Sequence, residues 1–370
     1  MKTFKCDCGA DVFFDNSQCL TCGRELGFVP DRLEMHTLET SDDAIETSSG
    51  SYRKCANYSQ AGVCNWLVSS DAQEDLCQAC HLNNVIPDLD DPEQKARWHE
   101  TELAKRRLVY SLNRLGLPVI AKSDDPARGL AFDIRGSSGE ERVLTGHADG
   151  LITLNLDEAD AGEREKMRLA MKERYRTLLG HFRHEVGHYF WDRLVADPNQ
   201  HGPFRELFGD ERADYAEALK HHYSTPPDPN YAARFISHYA AAHPWEDFAE
   251  TFAHYLHMID TLETAEQHGF AKGPAAATAA PADTFETLMA EWYRFSVALN
   301  SLTRSMGLPD AYPFAISPVV KEKLRFVHEL IAQPQSDREL SAARGRLVTA
   351  MADQAETPSS SAAMAAEVSP

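Results

Sequence analysis

Residues 184–188 read His-Glu-Val-Gly-His, two histidines four positions apart with a glutamate directly after the first. On an α-helix this spacing puts both imidazoles on one face, within reach of a single Zn²⁺. The glutamate then lies beside the metal, where it can polarise a bound water. Apolar residues recur at roughly helical spacing from 178 to 194, which favours a helix. The motif therefore predicts zinc ligands at His184 and His188 and a general base at Glu185.

A catalytic zinc takes three protein ligands and leaves its fourth position to water, so one more ligand must come from elsewhere. Residues 245–254 read W-E-D-F-A-E-T-F-A-H, with Glu246 and Glu250 four apart on one helix face. Two carboxylates on a face turned towards the core require cationic compensation. We expect Glu246 to bind zinc and Glu250 to accept a hydrogen bond from a ligand histidine. The reverse assignment, and a solvated acidic helix face, are the alternatives.

Three other residues could supply the third ligand. His201 follows His188 by thirteen positions, and Asp214 and Glu217 lie in the stretch before Glu246. The metzincin arrangement is excluded, because its third histidine would follow the first by ten positions, where this chain has a leucine. Glu246 is the favoured candidate.

The developing oxyanion of a hydrolytic reaction needs a hydrogen-bond donor besides the metal. Four side chains close to the Glu246 segment could provide it. Tyr239 is favoured over His238, His254 and Tyr255.

All eight cysteines lie between residues 6 and 80. Such clustering favours metal ligands in a reducing compartment over disulfides. Two Cys₄ sites are predicted, a zinc ribbon over residues 1–30 and a second module over residues 51–83. Four thiolates leave no open coordination position, so both sites should be structural or should dock a protein partner. The predicted ligands are Cys6, Cys8, Cys19 and Cys22 in the first site, and Cys55, Cys64, Cys77 and Cys80, with His81 as a substitute, in the second.

The remaining chain predicts an α+β architecture. We expect a zincin-like, mostly helical catalytic domain with a small β-sheet over residues 92–333, preceded by the two small β-rich Cys₄ zinc-ribbon modules. The strand predicted at 151–156 lies just upstream of the motif helix. It is equally consistent with a peptide-binding edge strand and with a strand packed inside the sheet. The Ala/Ser-rich end, residues 354–370, is predicted to be disordered. The predicted strands are 130–135, 142–146 and 151–156, with a hairpin turn at 148–150.

Between the motif helix and the Glu246 segment the signals are mixed. Residues 192–204 contain Gly and Pro and predict a loop, and Asp210 is a plausible N-cap for the next helix. A further helix is predicted over 231–242, after which Pro244 suits the first turn of the Glu246 helix.

Net charge restricts the partners. The chain has 37 basic and 57 acidic residues, a formal charge of −20, and no long basic run. A field of that sign repels phosphate backbones, so a nucleic-acid partner is not favoured. The N-terminal sequence lacks the apolar region of a signal peptide, and no window approaches the ~18 apolar residues of a membrane span. A cytoplasmic location is the expectation.

Long segments resemble a known family, the bacterial zinc-binding metallopeptidases with an N-terminal zinc ribbon. The similarity lies in H-F-R-H-E-V-G-H-Y-F-W-D-R-L, F-G-D-E-R-A-D-Y-A-E-A-L, H-P-W-E-D-F-A-E-T-F-A-H and V-F-F-D-N-S-Q-C-L-T-C-G, and extends over about residues 1–330. The motif and the two cysteine groups predict one catalytic and about two structural Zn²⁺, and peptidase chemistry implies a peptide or protein substrate. The resemblance itself supplies no established substrate. The E-x-x-x-E helix also resembles gluzincins, whose first such glutamate binds the metal, which supports Glu246.

The sequence therefore favours a zinc metallopeptidase over three rivals. In a non-catalytic zinc scaffold that recruits partners, the base Glu185 would be unnecessary. A SprT-like DNA-associated protease would use His201 as third ligand and a basic surface, which the net charge disfavours. A zinc-ribbon nucleic-acid binder would need a Lys/Arg cluster in the ribbons.

Overall fold

The computed structural model describes residues 1–38, 45–47, 50–136, 143–171, 173–195, 198–271 and 281–333. The predicted disordered tail, residues 354–370, lies outside the described residues, as does the start of the strand predicted at 142–146. Within the described ranges, no helix is both long and apolar enough to cross a membrane.

Strands occupy the N-terminal part of the chain and helices most of the remainder. The strands are β1 (Thr3–Lys5), β2 (Asp11–Phe13), β3 (Glu25–Val29), β4 (Glu34–Leu38), β5 (Ile45–Thr47), β6 (Gly50–Lys54), β7 (Leu67–Ser69), β8 (Asn83–Val85), β9 (Ala131–Arg135), β10 (Gly146–Ala148) and β11 (Leu151–Asn155). The helices are α1 (Gln78–His81), α2 (Pro92–Arg114), α3 (Ala161–Ala170), α4 (Leu178–Leu194), α5 (Pro198–Phe208), α6 (Tyr215–Ser224), α7 (Pro244–Gln267), α8 (Pro281–Ser305) and α9 (Pro318–Ala332). The predicted class, a helical domain with a small sheet behind two four-cysteine groups, is confirmed.

The two cysteine regions share one aromatic core with α2. Hairpins β1–β2 and β3–β4 belong to the first region, and the three-stranded sheet β5–β6–β7 to the second. Phe28 joins them: its ring lies 5.0 Å from that of Phe14 and 5.1 Å from that of Trp66. Tyr110 of α2 closes the group, 5.2 Å from Phe14. Burial of these large rings fixes the cysteine-rich region against the helical part of the chain.

The small sheet of the helical part has the strand order β10-β11-β9-β8. Strands β8, β9 and β11 run parallel, and β10 pairs antiparallel with β11 at one edge. Asp149 and Gly150 both have positive φ, 48° and 78°, which is the twist that a two-residue hairpin requires. The predicted hairpin turn at 148–150 is confirmed, although its first strand begins at Gly146, four residues later than predicted.

The motif helix α4 packs closely against α7. Thr177 caps α4, its hydroxyl accepting a hydrogen bond from the N–H of Gly180 at 3.0 Å. A β-carbon added at Gly187 would lie 2.9 Å from the Cα of Ala249, so glycine is needed where the two backbones meet. One turn further, the rings of Phe190 and Phe252 stack at 5.5 Å.

Three local predictions between these helices are wrong. Residues 198–208 form α5 rather than a loop, because Phe204 and Phe208 pack against the Trp191 and Phe248 rings and tertiary burial outweighs the glycine and proline. Helix α6 begins after Asp214, whose carboxylate accepts from the N–H of Glu217 at 2.9 Å, and not after Asp210.

The third error is the helix predicted over 231–242, which is reduced to single 3₁₀ turns at Tyr231–Ala233 and Tyr239–Ala241. The Ser237 hydroxyl accepts from the Ala240 N–H at 3.0 Å. A local side-chain bond of this kind competes with a continuous helix. Pro244 opens α7 as predicted.

We expect Gly187→Ala to destabilise the fold by about 1–3 kcal/mol, since the added methyl overpacks the α4–α7 contact. Gly202→Ala is the control: it lies in α5, where an added β-carbon meets nothing within 4 Å. That change should leave stability equal or raise it by about 0.5–1 kcal/mol. Urea unfolding measures both. Equal stability of the Gly187→Ala protein and the wild type would contradict the close contact.

Candidate metal centre

Three donor atoms from α4 and α7 meet at one point. His184 Nε2 lies 3.2 Å from His188 Nε2 and 3.0 Å from Glu246 Oε2, and His188 Nε2 lies 3.4 Å from the same oxygen. Zn–N and Zn–O bonds of about 2.0–2.1 Å place tetrahedral ligands about 3.4 Å apart. Glu246 is only 1% exposed, and its Oε2 accepts no hydrogen bond from any residue the structure describes. A buried carboxylate oxygen that faces two imidazole nitrogens fits a zinc ion.

Glu250 fixes the orientation of His184. Nδ1 of His184 lies 2.7 Å from Glu250 Oε1, so Nδ1 donates and the Nε2 lone pair faces His188 and Glu246. Burial of Glu250 raises its pKa, but the hydrogen bond from His184, the charges of His184 and His254 and a hydrogen bond from Ser237 together lower that pKa to about 2. The carboxylate is therefore ionised at neutral pH, as its predicted role requires.

Buried polar contacts set the position of α7. His243 caps the helix: its Nδ1 accepts from the Trp245 N–H at 3.1 Å, and its Nε2 donates to the Ala213 carbonyl at 3.1 Å. Asp247, next to Glu246, forms a fully buried ion pair with Lys323 of α9 at 2.5 Å. The pair fixes the rotation of α7 about its axis, so that Glu246 faces α4.

Glu185 and Tyr239 lie beside the same centre. Glu185 is buried next to His184, and the ring of Tyr239 lies 5.8 Å from the ring of His184. Burial raises the pKa of Tyr239, and the charges of Glu246 and Glu185 raise it further. The phenol is therefore protonated at neutral pH and can donate a hydrogen bond.

The other oxyanion candidates are engaged elsewhere. Tyr255 pairs with His328 at 2.8 Å, and His254 with the Tyr312 hydroxyl at 2.9 Å. The ring of His238 contacts the ring of His222, with centroids 4.3 Å apart and planes tilted by 36°.

The rival third ligands do not join the three donors. Among the described residues, the group that could hold a metal here consists of His184, His188 and Glu246. His201 lies on α5, and Asp214 caps α6 by accepting from the N–H of Glu217.

Two neighbours of the centre were not predicted. Tyr215, the first residue of α6, donates from its hydroxyl to Glu246 Oε1 at 2.6 Å. His147 of the edge strand β10 stacks on His188, with ring centroids 6.3 Å apart and planes 11° apart. No spacing rule identifies Tyr215, because its partner lies on another helix. For His147, the strand predicted at 142–146, which ends one residue before it, was a partial signal.

The cysteine sulfurs form two further groups, each with all four Sγ atoms within 4.8 Å of one another. Sulfur–sulfur distances of 3.6 and 3.7 Å in the first group and 3.7 Å in the second match the roughly 3.8 Å edge of a tetrahedral site with Zn–S bonds of about 2.3 Å. In the first group Cys8 and Cys22 are exposed, whereas all four members of the second are buried. His81 lies outside the second group and pairs with Asp124 at 3.1 Å.

Comparison with known proteins identifies the family. A family model described as "Putative zinc-binding metallo-peptidase" matches residues 94–330. The chain belongs to this family. A second model, described as a zinc-ribbon domain, matches residues 3–91.

Relatives of similar length exist in mycobacteria. Uncharacterized proteins of Mycobacterium tuberculosis and Mycobacterium bovis are each 44% identical over 345 residues, which covers 92% of this chain and 98% of each relative. No solved structure matches the chain.

The difference in exposure between the two cysteine groups predicts two rates of zinc release. A chelator reaches the first group through Cys8 and Cys22, so its zinc should leave faster than that of the buried second group. A chromogenic chelator such as pyridylazoresorcinol measures both phases. Cys22→Ser should remove the fast Cys₄ phase and keep the slow one. Loss of the slow phase in that variant would contradict the assignment.

Proposed function

We propose that the protein is a zinc-dependent peptidase with His184, His188 and Glu246 as ligands of the catalytic metal and Glu185 as general base. The observation that carries this proposal is the convergence of two imidazole nitrogens and one buried carboxylate oxygen at the separations expected between zinc ligands. Bound there, zinc supplies a Lewis acid for the scissile carbonyl and lowers the pKa of water.

The protein's own groups perform the proton transfers. Glu185 accepts the proton of the attacking water and passes it to the leaving amine. Glu250 keeps the His184 ring in the tautomer whose Nε2 can bind a metal. The protonated Tyr239 phenol donates to the oxyanion that develops on the substrate.

A peptide substrate can pair with the edge strand β10. The strand lies at the edge of its sheet, and its His147 ring stacks on His188. An extended peptide that pairs with β10 by main-chain hydrogen bonds passes directly beside the ligands. The strand just upstream of the motif helix, β11, lies inside the sheet between β10 and β9, so the edge position belongs to β10 instead.

The cysteine groups bear on the cellular location of the protein. Thiolate sites persist in reducing compartments, which supports a cytoplasmic location. The turn of the first ribbon carries Leu20, which is 93% exposed, and we propose this turn as the contact for a protein partner. The net charge of −20 disfavours nucleic acid in that role.

The rival functions have less support. A SprT-like arrangement needs His201 at the metal, and that residue lies on α5 outside the donor group described above. A scaffold needs no base, yet Glu185 is buried beside the ligand His184.

Glu185→Gln separates enzyme from scaffold. Removal of the base should lower kcat about 10²–10⁴-fold while zinc stays bound. Hydrolysis of a mixed peptide library and metal content by mass spectrometry are the measurements. Glu206→Gln, at an exposed position of α5, is the matched control and should keep full activity. Wild-type protein that cleaves no library peptide would favour the scaffold.

Metal analysis tests the ligand assignment independently of activity. We expect three zinc ions per chain, one in the catalytic site and two in the cysteine groups. Glu246→Ala should weaken the catalytic site, so that only two zinc ions remain after gel filtration, and a Cys6/Cys8 double serine variant should also lose one. His201→Ala should keep all three. A wild-type count of one would contradict both cysteine sites.

A further inference from the structure

Helix α6 lies on the surface, and none of its ten residues is buried. Its first residue nevertheless reaches the most deeply buried member of the candidate metal centre. Tyr215 is 37% exposed, yet its hydroxyl lies 2.6 Å from Oε1 of Glu246, which is 1% exposed. This contact links a surface helix directly to the carboxylate.

The hydrogen bond gives the two oxygens of Glu246 different partners. Oε1 accepts from the Tyr215 hydroxyl, while Oε2 faces the nitrogens of His184 and His188. A distance of 2.6 Å is typical of a hydroxyl that donates to an ionised carboxylate. Because Oε1 already accepts a hydrogen bond, Glu246 presents only Oε2 to a metal. The same bond fixes the rotation of the carboxylate group before a metal binds.

Tyr215 is itself held by the cap of the ligand helix. His243 donates from Nε2 to the carbonyl of Ala213, two residues before Tyr215, at 3.1 Å. The Tyr215 ring packs edge-on against the His243 ring at 5.2 Å and lies 6.1 Å from the Trp245 ring. Since His243 also caps α7 through Trp245, the start of α6 and the start of α7 form one unit. The phenol cannot move away from Glu246 without disturbing that unit.

We propose that Tyr215 is a positioning residue that holds Glu246 as a one-oxygen ligand and thereby sets the metal affinity of the site. The inference rests on the proposed function, in which Glu246 binds the metal. Hydrogen-bond partners of metal ligands typically account for about 10–100-fold in affinity, because they reduce the freedom that a ligand loses on binding. Helix α6 has few buried contacts and should therefore unfold locally at low cost. Because the same bond links α6 to the site, metal binding should also order this helix.

The test compares Tyr215→Phe with Tyr223→Phe in the full chain with both cysteine sites loaded. Phenylalanine keeps the ring contacts with His243 and Trp245 and removes only the hydroxyl. Tyr223 is the matched control, on the same helix and 62% exposed. Competition for Zn²⁺ between the protein and a chelator measures the affinity of the catalytic site. We expect about a 10-fold weaker Kd for Tyr215→Phe and no change for Tyr223→Phe. Wild-type affinity in Tyr215→Phe would overturn the proposal.

Hydrogen exchange supplies a readout that a merely structural role would not change. Zinc should slow amide exchange in α6 of the wild type and of Tyr223→Phe, and this protection should be lost in Tyr215→Phe. Equal protection by zinc in all three proteins would refute the link between α6 and the site.

A double-mutant cycle with Glu246→Ala separates this inference from the proposed function. Without the carboxylate, Tyr215→Phe should change the Zn²⁺ affinity no further. The cycle compares the effect of Tyr215→Phe on Zn²⁺ affinity in the presence and in the absence of Glu246. A loss of stability that Tyr215→Phe causes in both backgrounds therefore cancels. If Glu246→Ala alone leaves affinity unchanged, the ligand assignment fails. If Glu246→Ala weakens binding and Tyr215→Phe does not, only the positioning role fails.

Discussion

The close contact between α4 and α7 is the constraint on which the metal centre depends. At Gly187 the two backbones approach so closely that a single methyl group would collide with Ala249. Helices at this separation bring side chains on their facing surfaces within bonding distance of one ion, and a slightly wider separation would not. The glycine inside the His-Glu-Val-Gly-His motif is therefore as necessary to the geometry as the histidines. It determines how near the Glu246 helix can come.

Much of the site followed from the sequence, because the relevant spacings are local. His184 and His188 share a turn of one helix, and so do Glu246 and Glu250, so helical periodicity alone aligns each pair. Tyr215 could not be found in this way, since its bond to Glu246 spans 31 positions and depends on how α6 is placed. The fold prediction failed for the same reason at α5, where Phe204 packs into an aromatic cluster that local glycine and proline signals do not reveal.

The two cysteine groups differ in their physical relation to the rest of the chain. The first has two sulfurs at the surface, while the second is enclosed by protein. Cys80 lies 3.9 Å from Glu102 of α2, a carboxylate that also pairs with the buried Lys105 at 2.7 Å. Buried charged side chains of α2 therefore contact the second site, and α2 itself packs on the motif helix α4. A metal held there would contribute to the same folded body as the candidate metal centre.

Strand β8 has a further consequence for how the chain can be divided. It begins three residues after Cys80 and pairs with β9, so the cysteine-rich region contributes the outer strand of the four-stranded sheet. A chain begun at residue 92 would lack that strand and would expose the main-chain N–H and C=O groups of β9. Bare edges of this kind pair with other chains and cause aggregation. The N-terminal region thus covers one edge of this sheet, and a truncated protein would be prone to associate with itself.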